Sequence, residues 1–123
     1  MGCVRLTTIL LVGHIKEVDE MTSRLLKRNG YRVQVLQDEK DSINMNPDLI
    51  IMDCDLTPKE GFERYKSVIQ NLLPVQILWI SSNPDDEINA LEFGADDWIK
   101  KPFHLEILLA RIQKLCKKSA KFS

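Results

Sequence analysis

The length of its apolar runs limits this 123-residue chain more than any other feature. TTILLV (7–12), DLIIMD (48–53) and VQILWIS (75–81) are each six or seven residues long and almost unbroken by polar side chains. Runs this short, apolar at both alternating positions, belong to strands buried on both faces of a sheet. Amphipathic stretches separate them. EVDEMTSRLLKRNG (17–30) puts Val18, Met21, Leu25 and Leu26 on one helical face, with Asn29-Gly30 as a stop signal. FERYKSVIQNLL (62–73) aligns Phe62, Tyr65, Ile69 and Leu72, and HLEILLARIQKLCKK (104–118) aligns Leu105, Leu108, Leu109, Ile112 and Cys116.

YRVQVL (31–36) and DDWIK (96–100) complete a set of five strands. A short polar helix is expected over 39–45, ended by Pro47, and a fifth helix over 84–93. That last helix has Asn83 as its cap, Pro84 at its first position and Gly94 at its end. Strands alternating with helices imply an α/β fold, an open doubly wound parallel sheet with helices on both faces, since five strands are too few for an eight-stranded barrel.

Composition narrows the function. With 44% apolar and 28% charged residues and a formal net charge of -1, the chain is globular and lacks the basic surplus of a nucleic-acid or membrane-surface binder. Three widely spaced cysteines (Cys3, Cys54, Cys116) form no metal-binding spacing, which points to reduced thiols and a cytoplasmic setting. No apolar stretch is long enough for a membrane span, and no GxGxxG or GxxxxGK[ST] follows a strand.

In open α/β sheets the chemistry collects beyond the carboxyl ends of the strands. That rule selects Gly13, His14, Asp53, Cys54, Asp55, Ser81, Ser82 and Lys101. Asp53, closing the most apolar strand, is either a turn cap or a half-desolvated carboxylate that needs a cation. Lys101, aimed by Pro102 through a turn with a cis bond as one option, is either that cation or a surface lysine. Strand-end serines mostly cap the backbone, Cys54 reads as a small buried hydrophobe, and nothing near His14 completes a triad or a ligand set. The lysines at 114, 117, 118 and 121 read as the solvated end of a helix.

PDLIIMDCDLTPKEGFE (47–63) and GADDWIKKPF (94–103) together resemble the receiver domain of bacterial two-component response regulators, over nearly the whole chain. GYRV (30–33) sits where that family's second strand begins. The resemblance implies a flavodoxin-like fold with strand order 2-1-3-4-5, a receiver over 1–118 and the start of a linker or tail over 119–123. It implies a signalling module, not an enzyme, with Asp53 as phosphoacceptor, Lys101 as phosphate contact and Trp98 at the aromatic switch position. The Ser/Thr switch falls on Trp79 when counted from Pro74, and on Ser81 by strand pattern. PFHLEILLARIQKL (102–115) further resembles receivers of the OmpR/PhoB class, which dimerise through the fourth helix, fifth strand and fifth helix. Asp97 and Arg111 match polar positions of that face, while Glu87 and Ile107 replace a basic and an acidic residue, so one cross-dimer ion pair is expected to be missing.

The main departure is at Gly13-His14, where the family carries two adjacent acids that help hold Mg²⁺. Mg²⁺ prefers carboxylate and water oxygens; glycine offers no side chain and neutral imidazole is a poor ligand. Three readings result. In the first, the chain is an atypical receiver acting through dimerisation on an attached or partner DNA-binding output. It then needs no cofactor, has at most weak Mg²⁺ affinity through Asp53 and Asp55, and contacts DNA only through a domain outside this chain. In the second, a histidine kinase phosphorylates Asp53 conventionally, with Asp55 or water replacing the lost ligands. In the third, the same sheet edge senses a small molecule.

Overall fold

The computed structural model describes residues 7–13, 16–38, 40–53 and 56–120. Five strands form one parallel sheet: β1 (Thr8–Gly13), β2 (Arg32–Leu36), β3 (Leu49–Asp53), β4 (Gln76–Ser81) and β5 (Asp97–Lys100), in the order β2-β1-β3-β4-β5. The helices are α1 (Lys16–Arg28), α2 (Pro58–Arg64), α3 (Lys66–Leu72), α4 (Asp86–Phe93) and α5 (Leu105–Ala120). All residues of β1 and β3 are buried, as expected of central strands covered on both sides.

The period of two in the strands divides the core. Leu10, Val12, Ile50, Met52, Ile77 and Trp79 point to one face and pack with Tyr65 between α2 and α3, Val68 and Ile69 of α3 and Ala90 of α4. Ile9, Leu11, Leu49, Ile51, Leu78, Ile80 and Ile99 point to the other and meet Leu26 of α1 and Leu108, Ile112 and Leu115 of α5. Each fully buried Leu or Ile contributes about 1.5–3 kcal/mol relative to exposure. Leu115, buried completely, joins the α5 stripe predicted from the sequence. The side chains of Val18 and Met21 lie outside the described residues.

Glycine is required at two helix ends. Gly30 has φ 88, and the bonds Tyr31 N–H to Leu26 O and Gly30 N–H to Lys27 O close α1 as a Schellman motif. Gly94, at φ 120, repeats the pattern, with Ala95 N–H to Ala90 O and Gly94 N–H to Leu91 O. Both turns feed directly into a following strand, β2 and β5.

Three sequence expectations need correction. No helix forms between β2 and β3 among the described residues. There the Asp41 carboxylate accepts from Gln37 and Asp38 N–H, while Gln34 donates to Ser42 O and accepts from Asn44 N–H. Such side-chain bonds satisfy backbone groups outside a helix. The helix after β3 starts at Pro58, inside the expected turn, because Thr57 and Glu60 form a capping box, and it breaks at Tyr65 into α2 and α3. Finally, α4 begins at Asp86, because Asn83 Oδ1 accepts from Asp85 N–H and Asn83 O from Asp86 N–H, which makes a turn of 83–86.

Candidate functional site

The sheet delivers four strand ends to one edge. Gly13 is in register with Asp53 across β1 and β3, and Ser81 with Lys100 across β4 and β5. Four fully buried residues, Leu49 to Met52, precede Asp53 and leave it only 2% exposed. Lys101 N–H donates to Ser81 O at 2.8 Å, which fixes the first residue beyond β5 against β4. From there the Lys101 ammonium forms an ion pair with Asp53 Oδ1. The Lys101–Pro102 peptide bond is cis.

Burial dominates the electrostatics of Asp53. Desolvation raises its pKa above the ordinary carboxylate value, and the hydrogen bond and charge of Lys101 pull it down only in part. Apart from Lys101, no described group gives either carboxylate oxygen a hydrogen bond. The neighbouring position, Gly13, is buried and has no side chain to contribute.

Trp79 is completely buried and stacks on Phe62 of α2, with ring centroids 5.4 Å apart. Ser81 lies two residues further on, at the strand end, where its Oγ accepts from Trp98 Nε1 at 2.9 Å. Thus Trp79 serves the core and Ser81 stands at the edge. Ser82, next along, is exposed.

A second constellation lies on α4, β5 and α5. Asp97 Oδ2 meets Arg111 Nη1 at 3.2 Å and Lys114 Nζ at 3.3 Å, and Asp97 Oδ1 accepts from Trp98 N–H at 2.8 Å. Burial raises the Asp97 pKa, but the Trp98 N–H, Lys114 and Arg111 outweigh it and hold the carboxyl below its ordinary value. Ile107, which lines a groove with Arg111 and Trp98, stands 44% exposed, and Ile88 and Leu91 of α4 stand 66% and 45% exposed. A groove of about 270 Å³ runs between Glu87, Trp98, Phe103, Ile107 and Arg111.

The structure therefore brings Asp53, Lys101 and Gly13 together, joins Ser81 to Trp98, and places Asp97 with Arg111 on another face. His14, Cys54 and Asp55 lie outside the described residues. Sequence reasoning missed Lys114 as a partner of Asp97; its position at i+3 from Arg111 on one helical face is the signal that could have found it. Cys116, half-buried near Asp48, has its thiol pKa pushed up to about 11, chiefly by burial, which makes it a weak nucleophile at neutral pH.

Mg²⁺ takes oxygen ligands, and positions 14, 54 and 55 of this edge lie outside the described residues. The described residues offer Asp53, paired with Lys101, and beside it Gly13, which has no side chain. No group of three His, Cys, Asp or Glu among the described residues has metal-holding geometry.

With fold and site in view, similarities to known proteins can be placed. The profile of the response regulator receiver domain matches residues 9–113. Response regulator MprA of Mycolicibacterium vanbaalenii is 32% identical over 117 residues, 90% of this chain and 51% of that protein. An uncharacterized transcriptional regulatory protein of Bacillus subtilis, YvcP, is 31% identical over 117 residues, 90% of this chain and 49% of its own length. The chain thus spans about half the length of these curated relatives. Among solved structures, chemotaxis protein CheY4 of Vibrio cholerae superimposes with a TM-score of 0.75 at 27% identity, covering 90% of this chain and 99% of that one.

Proposed function

The chain belongs to the response regulator receiver domain family, and from that premise we propose that it is an atypical receiver, working through self-association with weak or absent Mg²⁺-dependent phosphorylation. The observation that carries this reading is the pairing of Gly13 with Asp53. The strand position beside the buried carboxylate holds no second acid, and Lys101 is the cation that meets Asp53.

The physical argument is one of charge. A phosphoryl group on Asp53 brings several negative charges within about 4 Å, each unit pair costing about 4 kcal/mol at an effective dielectric of 20. A divalent cation offsets such charge and positions the oxygens when it is bound. Lys101 supplies one positive charge on one side. The proposed working surface is instead the α4–β5–α5 face, where Asp97, Arg111 and Lys114 form a polar network and the two helices carry exposed Ile88, Leu91 and Ile107. A second copy of the chain is its proposed partner. Control of transcription would pass through an attached or partner DNA-binding domain, as the similarity to the transcriptional regulatory protein YvcP suggests. The cytoplasm is the proposed compartment; no helix among the described residues is long and apolar enough to cross a membrane.

The Asp53–Lys101 pair favours a second reading, a conventional phosphoacceptor served by a histidine kinase, because both groups stand ready at the edge. Intact-mass measurement after incubation with acetyl phosphate and Mg²⁺ separates the two. The proposed reading gives unmodified protein at the concentrations that label an ordinary receiver. Stoichiometric phosphoryl addition, abolished by Asp53→Asn, establishes the second reading and removes the first.

A further inference from the structure

The chain has two histidines, His14 and His104. His104 directly precedes α5, and its carbonyl accepts from Ile107 N–H at 3.0 Å and Leu108 N–H at 3.3 Å, which ties it to the first turn of that helix. It is exposed and lines the groove of about 270 Å³ together with Glu87 of α4, Lys100 of β5 and Arg111 of α5. A groove of that volume is about 8 Å across if taken as a sphere, no wider than the Debye length at physiological salt, so the charges on its walls act on one another.

Positive charge already prevails on those walls. Lys100 and Arg111 are cations, and Glu87 is the one acid that lines the groove with them. Behind Arg111 stands Asp97, which Lys114 shares, and Lys101 is turned away to Asp53. Along α5 itself, the charges nearest His104 are the positive end of the helix dipole and Glu106 of the first turn. Histidine is the side chain that ordinarily changes charge between pH 5 and 8. A proton on its ring adds one more positive charge to this set.

We propose that His104 is a proton-operated switch on the α4–β5–α5 face: acid charges its imidazole and loosens the association of two copies. This rests on the reading of the face as a self-association surface and goes beyond it by naming the residue that regulates it. In a symmetric pair the same patch serves both copies, so each added charge is presented twice. Like charges brought together across an interface oppose contact. Association is therefore tightest in neutral solution and loosens as pH falls toward 5.

Sedimentation equilibrium of the whole chain between pH 8 and pH 5.5, at constant ionic strength, tests this. The wild-type dissociation constant rises by about fivefold on acidification, the equivalent of one unit-charge contact at 4 Å in water. His104→Asn, which supplies a residue favoured at helix starts, holds the pH 8 affinity over the whole range. His14→Asn and Asp53→Asn, which remove the other histidine and the buried carboxylate, keep the wild-type step. Glu87→Gln moves the step to lower pH and Lys100→Met moves it to higher pH, opposite shifts that a merely structural role would not produce. A step that survives His104→Asn, or that vanishes with His14→Asn, overturns the switch. An association indifferent to pH overturns the switch alone, whereas a chain monomeric at every pH overturns the self-association reading and the switch with it.

Discussion

Asp53 and Asp97 each lie at one end of a strand of the same sheet and each meet a lysine, yet their carboxyl groups shift in opposite directions. Asp53, at the carboxyl end of β3, is desolvated and has Lys101 alone, so its pKa rises. Asp97, at the amino end of β5, keeps some solvent and collects the Trp98 N–H, Arg111 and Lys114, so its pKa falls. The number of donors, weighed against desolvation, decides the state of a carboxylate; the presence of one cation does not. One region is a buried charge in need of compensation, and the other is a compensated charge set into a surface.

The largest expected effect comes from removing the single compensating group. Lys101→Met leaves Asp53 without its cation and should cost about 3 kcal/mol in urea denaturation, the low end for a broken buried pair because Lys101 retains solvent contact. Adding Asp53→Asn should recover most of that loss. A single variant as stable as wild type would mean that Lys101 does not compensate Asp53.

Arg111→Ala acts on the other region. It should lower folding stability by no more than about 1 kcal/mol, as an exposed pair with a second cation, Lys114, beside it. Its larger consequence should be in sedimentation, with the self-association constant weakened several-fold. Loss of folding stability with unchanged association would place the partner surface elsewhere.

A smaller effect distinguishes the two aspartates by pH. Asp97 has a depressed folded-state pKa, so its contribution is present above the unfolded value near 3.8 and disappears as pH falls through the folded value. Acid titration should therefore release α5 from β5 below about pH 4, by less than about 1 kcal/mol, and Asp97→Asn should flatten that step. A step at neutral pH would contradict the assignment.

How much of this was legible in the sequence follows from the same contrast. The sheet could be read because unbroken apolar runs such as Leu49–Met52 have few alternatives to a doubly covered strand, and the run itself marked Asp53 as the residue leaving the core. Lys101 was legible through Pro102 behind it. Local polar chemistry was harder to read. Asp41 and Gln34 satisfy backbone groups that a helix over 39–45 would have used, and Asn83 makes a turn where a cap was expected. The Thr57–Glu60 capping box is present in the sequence as T-P-K-E, but the apolar periodicity begins only at Phe62, one turn after the helix does. The different surroundings of Trp79 and Ser81 needed the third dimension, because both residues face the same side of β4, and only packing shows Trp79 stacked on Phe62 and Ser81 bonded to Trp98.

The central claim, that Gly13-His14 removes the divalent-cation site, is tested most directly by calorimetric titration of Mg²⁺ into the wild-type chain and into the Gly13→Asp/His14→Asp variant. The account predicts no saturable heat for the wild type at millimolar Mg²⁺ and measurable binding once the two acids are supplied. Saturable binding by the wild type, as tight as that of the double variant, would contradict it.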